Sequence, residues 1–162
     1  KQLVDLKTMA FCYLESTDVN KLIIDAIKLY EKEIKDKGIE LKTELMDNPP
    51  FIPGDREQLK VAISNLIINS IEAMQESPKI LKISSIMSEG HLEIKVSDTG
   101  KGIPKDKIKN IFDPFFTSKI YGPGLGLTFT LKIIQQHRGT ISVESEPGKG
   151  TMFTIRLPVR KP

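Results

Sequence analysis

The chain has 162 residues, 39% of them hydrophobic, with 24 Lys or Arg against 21 Asp or Glu and a net charge of +3, which suits one compact domain with a sizeable core. No apolar run approaches the ~18 residues that span a bilayer, and the opening KQLVDLKTMA lacks the apolar stretch of a signal peptide. The lysines are scattered among acids, as in EKEIKDKGIELK, and the single cysteine, Cys12, excludes a disulfide framework or a multi-cysteine zinc site, so nucleic-acid binding, direct membrane contact and secretion are disfavoured and a reducing cytoplasm is the expected compartment.

Leu3, Leu6, Ala10 and Tyr13 recur at helical spacing as the seam of a helix packing on another, too short to stand alone. A chain that opens at Lys1 without an initiator Met is expected to be a piece of something longer. Polar Glu15 to Asp18 interrupts the seam. Asp18 or Asn20 then caps an amphipathic helix running to about Lys37, with Leu22, Ile23, Ala26, Ile27, Tyr30 and Ile34 on one face, and Gly38 ends it. Ile39, Leu41 and Thr43 alternate with charged residues as a half-buried strand that leads into the turn Asn48-Pro49-Pro50. Asp55 caps a long helix ending near Gln75. The runs Ile80 to Met87 and Leu92 to Val96, joined by Ser88-Glu89-Gly90-His91, predict a β-hairpin.

Residues 98 to 126 are rich in glycine and proline, contain the knot Asp113-Pro114-Phe115-Phe116, and predict one short helix near Lys105 to Ile111. Such a stretch inside a compact domain marks a lid or binding loop. Helix resumes from Gly126 to about His137, with Leu127, Leu131 and Ile134 inward and Phe129 a further candidate. Strands Thr140 to Glu144 and Thr151 to Leu157 flank the turn Pro147-Gly148-Lys149-Gly150. Helices and a mixed sheet then segregate into an α+β fold, a two-layer sandwich with the sheet covered on one face by helices.

Three segments carry chemistry. The long helix is apolar almost all round, yet Asn65, Asn69 and Glu72 form a narrow polar stripe. Asparagine oxygens suit Mg²⁺, which keeps waters and takes its other ligands from phosphates; hydrogen bonds to a neighbouring strand or loop would satisfy the stripe equally well. Asp98-x-Gly100-x-Gly102 follows a strand end. Its carboxylate can accept from an exocyclic amine such as that of adenine while the glycines let the main chain approach a flat ligand; alone, it is also a Gly-rich turn with a capping Asp. Gly122-Pro123-Gly124-Leu125-Gly126-Leu127 opens a helix whose first amides are free to hold phosphate oxygens, in a spacing that matches neither a P-loop nor a dinucleotide-binding turn. Lys119, just before it, can neutralise a terminal phosphate or be a solvated lid lysine.

In order, Asn65-x-x-x-Asn69, Asp98-x-Gly100-x-Gly102, Phe112-Asp-Pro-Phe-Phe116-Thr-Ser-Lys119, Gly124-Leu-Gly126-Leu and Gly148-Lys-Gly150-Thr151 resemble the N box, glycine boxes and F box of the ATP-binding catalytic domain of sensor histidine kinases. The resemblance covers about residues 18 to 158. It implies the sandwich shared with gyrase-type and heat-shock chaperone ATPases, ATP and Mg²⁺ as cofactors, and a domain at residues 17–162 preceded by the tail of a dimerisation helix at 1–16. It assigns Asp98 to the adenine amine, Asn69 and Asn65 to magnesium and phosphate, and Gly124, Leu125, Gly126 and Leu127 to the phosphates. Gly100, Gly102, Ile103, Phe112 and Lys119 complete the ATP-binding set, with residues 103–123 as a lid anchored by Phe112, Phe115 and Phe116 and Thr151 near the adenine directly or through water.

The related ATP hydrolases carry a glutamate where this chain has Asn65, so transfer is favoured over hydrolysis; Glu72 is the one acid that contests this. Pro123 departs from the small residue usual between those glycines. His91 and His137 are expected to be structural, which leaves the phosphoacceptor on a dimerisation domain outside this chain and a response-regulator receiver domain as the next partner. A non-catalytic nucleotide-binding module, an ATPase of the gyrase or chaperone kind and a serine kinase are the alternatives.

Overall fold

The computed structural model describes residues 14–113 and 124–159, with only the backbone considered at 124–126. In chain order the elements are β1 Glu15–Thr17, α1 Val19–Leu29, α2 Glu31–Asp36, β2 Glu40–Glu44, β3 Ile52–Gly54, α3 Arg56–Ala73, β4 Ile80–Ser88, β5 His91–Asp98, α4 Lys105–Ile108, α5 Gly124–Gln136, β6 Thr140–Glu146 and β7 Gly150–Pro158. The helical seam from Leu3 to Tyr13, Cys12 within it, lies outside the described residues. No helix among the described residues is long and apolar enough to cross a membrane.

Five strands form one mixed sheet in the order β2-β4-β5-β7-β6. Only the β2–β4 pair is parallel. Along β5, Leu92, Ile94, Val96 and Asp98 are buried in strict alternation, and β7 answers with Thr151, Phe153, Ile155 and Leu157. These rows face the helical layer, in which α3 packs against both α1 and α5. Period two therefore carries Asp98 and Thr151 in at the end of two apolar rows, beneath α3.

Both aspartate caps are present. Asp18 accepts from the Lys21 N–H at 3.3 Å and Asp55 from the Gln58 N–H at 3.1 Å, each cap stabilising its helix by about 1 kcal/mol. Asn20 instead reaches out of α1, donating to the Met46 carbonyl and accepting from Ser85 Oγ, both at 2.8 Å. The hairpin turns through Glu89 and Gly90, both at positive φ (52° and 78°), the left-handed pair of a tight two-residue turn.

The sequence expectations need four corrections. The helix drawn to Lys37 breaks at Tyr30 into α1 and α2. The strand read as half-buried is exposed at every position of β2, because β2 is the sheet's edge and only Ile39, just before it, enters the core. On α5 the buried residues are Leu127, Thr128, Thr130, Ile133 and Ile134, with His137 buried just past its end, and Phe129 and Leu131 are only half-buried. Finally, β1 and β3 form a separate two-stranded antiparallel sheet, with Glu15 opposite Gly54, where only a polar interruption and a proline turn were expected. The boundary drawn between residues 16 and 17 falls inside β1.

His137 braces the helical layer. Its Nε2 accepts from the Asp55 N–H at 2.9 Å, so the ring is neutral and Nδ1 donates to the Ile133 carbonyl at 2.8 Å. Burial holds its pKa below the usual 6.5, against opposing contributions from the Ile133 contact and the Asp55 charge. The unfolded chain thus takes up a proton that the folded one refuses. Stability is full above about pH 6.5 and is lost as pH falls below it, at up to about 1.4 kcal/mol per pH unit. Thermal melts across pH 7.5 to 5.5 should show this decline, and a His137→Gln variant should show a shallower one; parallel profiles would contradict the assignment.

Candidate functional site

Where the C-terminal end of α3 crosses the ends of β5 and β7, a narrow cleft is lined by Asn69, Asp98, Gly102, Ile103, Leu127 and Thr151 together with Ala73, Lys101, Ile111 and Phe153. Six of the thirteen site residues expected from sequence thus meet in one place. They come from five different parts of the chain, and the sheet register explains the central pair: Asp98 and Thr151 are cross-strand partners in β5 and β7.

Asp98 is 7% exposed and receives the Gly100 N–H at 2.8 Å. Burial raises its pKa above the usual carboxylate value, and the backbone N–H groups of Gly100 and Thr151 pull the other way. Lining the cleft, its carboxylate can accept from a ligand.

Asn69 is 4% exposed, and neither its amide oxygen nor its amide nitrogen has a hydrogen-bond partner. A buried amide left unpaired costs about 1–3 kcal/mol, and one that lines a cleft is satisfied by what enters the cleft. Its donor also fits a hard divalent ion: the oxygen of a neutral amide. Asn65, one turn earlier and half-buried, donates to Thr130 Oγ1 at 3.3 Å on α5 and does not line the cleft. Glu72 leaves the stripe. It is exposed, four residues beyond Ile68 on the outward side of α3, and its charge acts on the Tyr30 phenol, whose pKa rises mainly from burial. The next position of α3 that lines the cleft after Asn69 is Ala73, at i+4.

The glycines serve the protein's own backbone. A Cβ at Gly100 would stand 2.5 Å from the Ala73 carbonyl, and the neighbouring Lys101 N–H donates to that same oxygen at 3.2 Å. Gly102, at φ 76°, sits against the Glu146 carbonyl. Gly100 lets this loop close on α3 and does not line the cleft, whereas Gly102 both packs and lines it.

Phe112 is half-buried, and its carbonyl accepts from Thr128 Oγ1 at 3.0 Å, tying the segment after α4 to the first turns of α5. That helix begins at Gly124, so Gly124, Leu125 and Gly126 form its first turn. Lys119, Phe115, Phe116 and Pro123 lie outside the described residues. Sequence reasoning passed over Ser145, whose hydroxyl accepts from the Ile103 N–H at 2.8 Å and lies 2.8 Å from Thr151 Oγ1. A lone serine on a strand of period two carries no signal of its own; its pairing opposite Thr151 shows only in the register.

Residues 54–161 match the family described as histidine kinase-, DNA gyrase B-, and HSP90-like ATPase. The chain belongs to that family. Within it, the fold superposes on the catalytic domain of histidine kinase ThkA with a TM-score of 0.81 and 32% identity, covering 90% of this chain and 95% of that one. Sporulation kinase E of Bacillus subtilis is 37% identical over 159 residues, which are 98% of this chain. The chain spans about a fifth, 21%, of that relative's length. A structure of ThkA in complex with the response regulator protein TrrA aligns at a TM-score of 0.79 and 29% identity, over 92% of this chain and 42% of that one. The chain is therefore an ATP-binding catalytic domain of the sensor histidine kinase type, and its α+β sandwich is that domain's fold.

Proposed function

We infer that this catalytic domain binds ATP in the cleft between α3 and the ends of β5 and β7, and donates the γ-phosphoryl group to a histidine on a dimerisation domain outside the described residues. The phosphoryl group then passes to an aspartate on a receiver domain, in a cytoplasmic setting. The observation that carries this reading is the pairing of an unpartnered, buried Asn69 amide with the carboxylate of Asp98 in one cleft. In this reading Asp98 accepts from the adenine amine and Asn69, with Asn65 a turn away, faces the phosphates and a Mg²⁺ ion. Among the described residues no cluster of three or more His, Cys, Asp or Glu side chains could hold a metal, so Mg²⁺ would rest on amide oxygen, water and the nucleotide's own phosphates. When bound, the ion offsets phosphate charge. Gly124 to Leu127, at the start of α5, with Lys119, are assigned to the phosphates, and Ile103, Phe112 and Thr151 to the walls around the base.

Phosphoryl transfer depends on positioning and charge neutralisation rather than on covalent chemistry by the protein. Transfer is preferred to hydrolysis because the two positions that could offer a general base do not: Asn65 is an amide engaged with Thr130, and Glu72 is exposed and does not line the cleft. Incubating this domain with labelled ATP and a separate dimerisation domain bearing the phosphoacceptor should move label onto the histidine, acid-labile and independent of Glu72. Steady phosphate release abolished by Glu72→Gln, without label transfer, would favour an ATPase instead.

A further inference from the structure

The Ser145 hydroxyl sits at the centre of three contacts. It accepts from the Ile103 N–H at 2.8 Å, faces the Gly150 carbonyl at 3.0 Å, and lies 2.8 Å from Thr151 Oγ1. A hydroxyl has one proton to give and two lone pairs to offer. A carbonyl can only accept, so the Ser145 proton goes to Gly150; turned anywhere else, it would leave two oxygens 3.0 Å apart with no hydrogen between them. The Ile103 N–H takes one lone pair and the other is left for Thr151, whose hydroxyl must then be the donor. All four groups are satisfied in this arrangement.

The consequence falls on the cleft. Thr151 is 6% exposed, lines the cleft and pairs across the strands with Asp98. With its proton committed to Ser145, its oxygen can present only lone pairs to a ligand. Asp98 also presents only lone pairs, so two acceptors stand side by side on the floor of the site. An exocyclic amine, with two hydrogens, satisfies both, directly or through one water; a carbonyl oxygen at the same position meets acceptors on both sides. Resting on the proposed ATP site, we propose that Ser145 is a specificity-determining positioning residue: by fixing the direction of the Thr151 hydroxyl proton it makes the cleft select 6-amino over 6-oxo purine nucleotides. Its third contact ties the same hydroxyl to Ile103, which also lines the cleft.

The test compares ATP with inosine triphosphate by calorimetry on this domain. The wild-type domain should prefer ATP. In Ser145→Ala the Thr151 proton is free to turn into the cleft and meet a carbonyl, and the ATP-to-inosine-triphosphate affinity ratio should fall roughly tenfold, the worth of one hydrogen bond. Ser145→Thr, which keeps the hydroxyl, should restore the ratio. In a Thr151→Val background Ser145→Ala should leave the ratio unchanged, a readout indifferent to any general loosening of the fold. If Ser145→Ala weakens both nucleotides equally, or if the ratio shifts as much in the Thr151→Val background, the hydroxyl is a structural brace and the inference is wrong. A wild-type domain that binds neither nucleotide would overturn the ATP site itself, and with it this inference.

Discussion

Replacing Asp98 by asparagine is expected to lower ATP affinity about five- to 150-fold, the equivalent of about 1–3 kcal/mol, while leaving the domain at least as stable at neutral pH. The two effects separate because burial dominates the carboxylate's environment. Its pKa in the fold is raised above 3.8, so between that value and the raised one the folded state binds more protons than the unfolded chain. Stability falls as pH rises through that window and stays lower above it, which makes the ionised carboxylate a liability of the folded protein at neutral pH. Asparagine keeps the shape and an oxygen for the Gly100 N–H but removes the charge. Its NH₂ group, a donor, would oppose an adenine amine. The same logic predicts that wild-type affinity weakens on acidification at a higher pH than an ordinary carboxylate would dictate. Calorimetry and thermal melts on the variant decide the point: unchanged ATP affinity, or a loss of stability matching the loss of affinity, would remove Asp98 from the binding role.

Truncating Asn69 to alanine is expected to abolish the thermal shift produced by ATP with Mg²⁺ and to reduce label transfer by about 100-fold or more, the scale seen when a preorganised polar contact to the reacting group is deleted. The ligand-free domain should melt no lower than the wild type. Both polar atoms of that amide are buried without partners, so removing them relieves a standing cost of about 1–3 kcal/mol, and the space left opens on the cleft rather than into sealed core. An amide that served only to hold the fold would give the reverse pattern: a lower melting temperature with the nucleotide-induced shift intact.

Much of the fold was legible because it rests on periodicity and caps. Alternation exposed the hairpin and the final strand pair, and Asp18 and Asp55 marked two helix starts that the structure keeps. Periodicity failed where burial is decided by neighbours. The alternation of Ile39, Leu41 and Thr43 is real, but an edge strand has little beside it to bury against. The three-residue strands β1 and β3 carry too few residues, one of them Pro53, to leave a pattern.

The site was legible where a residue type is costly in its setting. Asn69 inside an apolar helix and Asp98 at the end of an apolar strand announced themselves, and both line the cleft. Glu72 shared the helical spacing but not the surroundings, because the outward side of α3 passes through it. At Gly100 the absence of a side chain is already required within the protein, by the Ala73 carbonyl. Ser145 was invisible because its role comes from strand register, which pairs it with Thr151.

A crystal structure with a nonhydrolysable ATP analogue and Mg²⁺ tests the central claim most directly. It should place the adenine amine within hydrogen-bonding distance of the Asp98 carboxylate, with the phosphates toward Asn69 and the start of α5. An analogue bound elsewhere on the domain, or one in this cleft with its base turned away from Asp98, would contradict the account.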